Sequence, residues 1–257
     1  MTPVRRTPLG LQALVVRMAV DPTYRARVRE GRVRDVHPED AVMLTAIDER
    51  AWRTEPHRRA HLLTAALDEF PVTGAVLGVQ AADAFFSDDA FGVMLDTRGR
   101  LAEAFGAWAL AKVGPLAAFE LAVARTRREP PTLPPAAPGA WVRTPRTARL
   151  VVPDGTVQAW ADRRAALGPN PTEALAHHQR VPPFRPSGGR KERWRLVIDA
   201  EGQAGADPLS AQEAEVHALA DLPRPAEALR RRAASLGPGA LACLDRAMAD
   251  GWWTQVP

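Results

Sequence analysis

The stretch ERWRLVIDAEGQAGADPLSAQEAEVHALADL, residues 192–222, decides the fold. Trp194, Leu196 and Ile198 alternate with Arg195, Val197 and Asp199, the two-residue period of a strand with one buried face. DAEGQ then supplies a polar turn. Ser210 and Glu213 form an S-x-x-E capping box, which satisfies backbone donors at the start of a helix expected to run to about Ala220. Downstream, Pro225 opens a second helix over AEALRRRAASLG, closed by Gly237. PGALACLDRAMADG reads as a third helix, closed by Gly251, and WWTQV leaves room for a final strand. A strand, three short helices and a terminal strand make a winged-helix arrangement.

Upstream the pattern is helical. Leu11, Leu14, Val15 and Met18 fall at helical spacing, and Asp21 with Pro22 supplies an N-cap and first-turn proline for PTYRARVRE. Pro38 opens PEDAVMLTAI. A long helical run follows from Glu49 to Phe70, with a break expected near Pro56. FPVTGAVLG, 70–78, is expected to turn the chain, and two more helices are expected within 98–112 and 115–128. The prolines of EPPTLPPAAPGAW, 129–141, cannot continue a helix. The expected fold class is therefore α+β: an all-α bundle over 1–130, a proline-rich linker over 131–142, and a winged-helix domain over 143–257. Within the last, TARLVVPDG reads as a strand and turn, TVQAWADRRAAL as a helix, and RVPPFRPSGGRK as irregular.

Composition bounds the function. At 257 residues and 46% hydrophobic, the chain can bury a real core. Its formal charge is +4, and only Lys112 and Lys191 are lysines. Arginine forks onto carboxylates and phosphates alike, so the high pI does not separate nucleic acid from acidic protein partners. The basic excess concentrates in RVPPFRPSGGRKERWR, 180–195. The single Cys243 excludes an intramolecular disulfide framework and any cysteine-based zinc site, and points to a reducing cytoplasm. The first residues are broken by Gln12 and Arg17, so no export signal is expected, and no segment has the apolar length to span a bilayer.

A winged helix most often suggests DNA binding, with basic and amide side chains on its third helix. Here that helix offers Arg246 alone, beside Asp245 and Asp250. Arg230, Arg231 and Arg232 cluster on the second helix, as a solvated face does. The third helix carries two apolar stripes: Leu241, Leu244 and Met248 suit a core, and Ala240, Cys243 and Ala247 line a shallow adjacent side. A free strand edge at 194–199 beside such a surface can accept an extended peptide. Arg195, Val197, Asp199, Ala240, Cys243, Leu244 and Ala247 are the candidate peptide-binding residues. The alternative is that both stripes are simply buried.

The pieces WRLVIDAEGQ, LSAQEAEVHALADL and PAEALRRRAASLGPGALACLDRAMADGWW together resemble the PqqD-like peptide-recognition element, a winged-helix module that captures leaders of ribosomally synthesised, modified peptides. Three earlier pieces, LQALVVRMAVDPTYRARV (11–28), LLTAALDEFPVTGAVLG (62–78) and GRLAEAFGAWALAKVGPLAAFELAVA (99–124), are similar to the helical domain of proteins that partner multinuclear non-heme iron oxidative enzymes. The resemblance implies a non-catalytic subunit, one half of a heterodimer. Its winged helix would hold the precursor's leader, its helical domain would dock on the enzyme, and the iron would sit in that partner. It implies no cofactor and no metal ligand in this chain. The competing expectation is a winged-helix DNA-binding regulator.

Other constellations are weaker. His57 and His61 share a helix face but have no third ligand nearby, and Arg58 and Arg59 repel a cation. His177 and His178 would diverge on a helix. Asp88 and Asp89, among Phe85, Phe86 and Phe91, read as a helix cap with apolar anchors rather than an acid–base pair. Cys243 lacks an identifiable activating partner and reads as a core residue. One of Trp252 and Trp253 is expected in the core, with the other free to anchor a contact.

Overall fold

The computed structural model describes residues 8–33, 36–52 and 55–257. The fold is mixed α+β, with two small three-stranded sheets. The chain divides into two compact units: 1–117 with 160–183, and 118–159 with 184–257. This differs from the boundary read at 131–142. The prolines there do end a helix, but contacts and not chain order define a unit, and 160–183 returns to the first.

The first unit is helical. It contains α1 (Pro8–Val20), α2 (Pro22–Arg29), α3 (Pro38–Thr45), α4 (Glu55–Glu69), α5 (Pro71–Leu77), α6 (Val79–Asp83), α7 (Asp89–Thr97), α8 (Leu101–Val113) and the start of α9 (Pro115–Arg127). The expected long run from Glu49 is split into a 3-10 turn, Glu49–Trp52, and α4, with residues 53 and 54 outside the described residues. Helix starts follow local chemistry. The Asp21 carboxylate accepts the Thr23 N–H at 3.0 Å ahead of Pro22, and Asp88 accepts the Ala90 N–H at 2.9 Å. FPVTGAVLG does not simply turn the chain; most of it is α5. Burial overrides its weak helix propensity, since Val72, Thr73, Gly74 and Ala75 are all buried. Gly74 allows close packing there: a Cβ would meet the end of the Leu67 side chain at 2.5 Å and that of Leu175 at 3.4 Å, so Leu67 would have to shift.

Two cores fill this unit. Leu14, Met18, Tyr24, Val28, Leu44 and Trp52 form one. The other is aromatic: Phe85 makes edge contacts with Phe86, Phe91, Phe105 and Trp108 at centroid distances of 5.4–5.7 Å. Asp88 serves both as the α7 cap and as acceptor for the Trp108 Nε1–H at 3.0 Å. Those bonds, led by the one from Ala90, hold its carboxyl below the usual range.

The second unit carries both sheets. Its elements are the rest of α9, β1 (Ala140–Arg143), β2 (Thr147–Pro153) and the start of α10 (Thr156–Ala166). The rest of α10 and α11 (Pro171–Ala176) belong to the first unit, with Leu175 buried. The second unit resumes with β3 (Lys191–Ile198), β4 (Ala204–Leu209), α12 (Ala211–Ala218), β5 (Arg224–Pro225), α13 (Ala226–Ala234), α14 (Ala240–Ala249) and β6 (Trp253–Gln255). One antiparallel sheet has the order β2-β3-β4 and the other β5-β1-β6. The terminal strand therefore pairs with β1, not with β3. Among the described residues no helix is long and apolar enough to cross a membrane.

Arg59 ties three helices of the first unit together. From α4 its guanidinium donates to both carboxylate oxygens of Asp83 at 2.7 Å and to the Val20 carbonyl, at the end of α1, at 2.8 Å. Removing it leaves the half-buried Asp83 carboxylate and the Val20 carbonyl without this donor. Arg59→Ala should cost about 2–3 kcal/mol, measured by urea unfolding of the whole chain.

Candidate functional site

The β2-β3-β4 sheet has two chemically different faces. On one, Val152, Leu196 and Ile198 are buried. The other sets Arg149 directly opposite Arg195, and Arg195 opposite Asp207. The Ile198 N–H donates to the Arg146 carbonyl, which makes 146/198 a hydrogen-bonded pair and, by alternation, 149/195 a non-bonded one. Two guanidiniums thus stand at the closest cross-strand spacing, where like charges repel.

Each arginine resolves the conflict by turning to a different partner. Arg195 donates through Nε and Nη2 to Asp207 Oδ2 at 3.1 and 2.7 Å, and its Nη1 lies 3.7 Å from Asp250, the C-cap of α14. Arg149 donates to the Ala214 carbonyl of α12 at 3.1 Å and to Asp221 at 3.0 Å. The Arg195 side chain is 19% exposed, so its bonds are better shielded than a surface pair's. The result is a charged layer joining the sheet to α12 and to the end of α14.

His217 of α12 lies in this layer. It is 4% exposed, its ring centroid is 4.4 Å from that of Trp252, and its Nδ1 has no hydrogen-bond partner in the protein. Burial, reinforced by Arg195 and Arg149 against Glu213 and Asp250, lowers its pKa to about 4. Glu213, one turn earlier, is held below the usual carboxylate range by the Ser210 backbone N–H of the capping box, which is fully formed.

The sequence-derived site residues separate in space. Arg195 and Val197 lie on β3, which is the central strand, so the expected free edge at 194–199 does not exist. Asp199 is beyond the strand, and its carboxylate accepts the Gln203 N–H at 2.6 Å within the turn. Ala240, Cys243, Leu244 and Ala247 are all buried in one core with Val216, Leu229, Ala233, Trp252 and Trp253. The small-residue stripe thus faces inward, and Leu241, expected to face the core, is 40% exposed. Cys243 at i+3 and Leu244 at i+4 from Ala240 complete a single apolar face, too narrow for the second stripe expected beside it. Both terminal tryptophans are buried, so neither is left to anchor an external contact.

The sheet has two outer strands instead, β2 and β4; of these β4 has the edge with the least side-chain bulk, and its pattern is weak, since AGADPL has no β-branched or aromatic residue. The Asp199 N–H donates to the Gln203 carbonyl, so 199/203, 197/205, 195/207 and 193/209 are the hydrogen-bonded pairs. Ala204, Ala206 and Pro208 therefore aim their backbone groups away from β3. Among the described residues no strand pairs with that side. Pro208, which lacks an N–H, sits where its missing donor faces outward, as edge strands tolerate.

Among the described residues no group of three or more His, Cys, Asp or Glu side chains is placed to hold a metal ion. His57 and His61 lie exposed on α4, and His177 caps the end of α11. No protein-family model matches the chain, and no curated protein matches it.

Two outcomes follow from this packing. His217 is neutral when folded and titrates near 6.5 when unfolded, so its contribution is fully present above about pH 6.5 and lost as pH falls toward 4. The loss is roughly 3 kcal/mol at most, and His217→Gln should flatten that part of the stability–pH curve measured by denaturant unfolding. Ala247→Trp should overpack the core and lower stability by about 2–4 kcal/mol by the same measurement, where a groove position would leave stability unchanged.

Proposed function

We propose that this chain is a non-catalytic, peptide-binding partner subunit. Its C-terminal unit, read as a winged helix of the PqqD-like kind, takes up the leader of a ribosomally made precursor as an added strand on β4. Its helical unit docks on an iron enzyme of the multinuclear non-heme iron oxidative family, which supplies the metal and performs the oxidation. The resemblance in the sequence motivates the partner; the outward edge of β4 carries the peptide reading. Ala204 and Ala206 offer backbone donors and acceptors, and Pro208 an acceptor alone, with little side-chain bulk, which suits strand addition. The capture surface is thereby moved from the stripe of α14 to β4.

The electrostatics of α14 weigh against the regulator alternative. Its outward Arg246 lies 3.5 Å from Glu213, and its Asp245 accepts from Arg230 at 2.7 Å. A recognition helix whose cation is already paired has little charge left for phosphates.

Ala206→Pro tests the edge. By register the Ala206 N–H faces away from β3, so the substitution removes an outward donor, as Pro208 already does two residues on. The tagged chain, purified from its native host, should carry an iron-loaded protein in near-equal amount together with a short peptide. Ala206→Pro should keep the iron protein and lose the peptide. Recovery of the chain alone, retaining DNA, would contradict the proposal.

A further inference from the structure

The cations of the segment that leads into β3 are unspent. Arg185, Arg190 and Lys191 are exposed and Arg193 is half-buried, and among the described residues none of these four side chains has a hydrogen bond or ion pair. Elsewhere in the same unit Arg143, Arg149, Arg195, Arg230 and Arg246 are each matched to a carboxylate. The one acid within 185–193 is Glu192, and its carboxylate is committed: it accepts the Gly155 N–H at 3.2 Å and the Val157 N–H at 3.0 Å at the start of α10. It also points to the opposite face of β3 from Lys191 and Arg193, because neighbours in a strand alternate.

Arg193 is related to β4 by register, and Lys191 shares its face of β3. Arg193 pairs with Leu209, the last residue of β4, and with Val151 of β2, which is 50% exposed. That end of the sheet face is therefore open to solvent. Strands lie about 5 Å apart, so the backbone of a strand added to β4 runs about 10 Å from that of Arg193, within the combined reach of an arginine and a glutamate side chain. One step along the same face, Asp207 is already bridged to Arg195. On this face of the sheet the unpaired cations, Arg193 and Lys191, thus lie toward the Leu209 end.

We infer that the segment taken up on β4 is an acidic peptide, carrying Asp or Glu at alternate positions where it passes Leu209, there to meet Arg193 and, one step along the same face, Lys191. This rests on the reading of β4 as a docking edge. Backbone pairing supplies the affinity, and the cations set direction, because only one of the two antiparallel or parallel placements of an asymmetrically acidic segment brings its charges to the Leu209 end. A nucleic acid needs a track of cations along its backbone, whereas Arg193 and Lys191 stand alone at one end of a sheet face and Arg246 of α14 is already paired.

A random twelve-residue peptide display library, selected on the whole chain and on its Ala206→Pro variant, tests the inference. The expected result is enrichment of peptides with clustered Asp and Glu toward one end on the parent chain, and loss of those sequences on Ala206→Pro. Replacing the acids of a selected peptide by their amides should then weaken binding about tenfold in low salt, and Arg193→Glu with Lys191→Glu should erase that difference. Enriched peptides without acidic excess that still depend on Ala206 would overturn the acidic inference and leave the edge reading standing. Equal enrichment on both chains, or none, would overturn the edge reading itself. Displacement of the acidic peptide by single-stranded DNA of equal charge and concentration would show a general anion surface and overturn the inference.

Discussion

Two arginines that cannot share a space organise the C-terminal unit. Arg149 and Arg195 are cross-strand neighbours on the polar face of the β2-β3-β4 sheet, and their repulsion is relieved only because each has its own acceptors. Arg195 leans to Asp207 and Asp250, so it joins β4 and the end of α14 to the central strand. Arg149 leans to Ala214 and Asp221, so it joins α12. A charged layer of this kind is a source of orientation more than of net stability, since desolvation offsets much of the Coulombic gain. It also sets the conditions for His217, which is kept neutral by burial between the same guanidiniums.

The orientation has a functional consequence. With Arg195 holding Asp207 inward, β4 is fixed on one side and open on the other, and its open side bears small residues and a proline. An unprotected edge is a hazard for aggregation, which Pro208 and the brevity of the strand limit. The same features suit an edge that accepts one short partner strand and not a second sheet. In the proposed complex the apolar face of α14 contributes by holding the three-helix core together, and the peptide meets β4.

Local chemistry made much of this fold legible in the sequence. Asp21 with Pro22, Asp88, and Ser210 with Glu213 marked helix starts because caps act within a few residues. The alternation of 194–198 marked β3 because one face is buried. What stayed hidden depends on distant contacts. β4 has no strand-forming residues and exists through its pairing with β3; α5 is a helix in a stretch of weak helix propensity whose residues Val72, Thr73, Gly74 and Ala75 are buried. The division into units was obscured because 160–183 rejoins an earlier part of the chain. For the candidate site, sequence reading found Arg195 and the strand but put the open edge on the wrong strand. On α14 the periodicity gave an apolar stripe without saying that Ala240, Cys243, Leu244 and Ala247 form one inward face.

Residue-resolved amide exchange on the whole chain, alone and saturated with the peptide it captures, bears most directly on the central claim. Strand addition predicts that the outward amides of Ala204 and Ala206 become strongly protected, while the already bonded amides of 205 and 207 change little. Unchanged exchange at Ala204 and Ala206, with new protection on α13 or α14 instead, would contradict docking on β4.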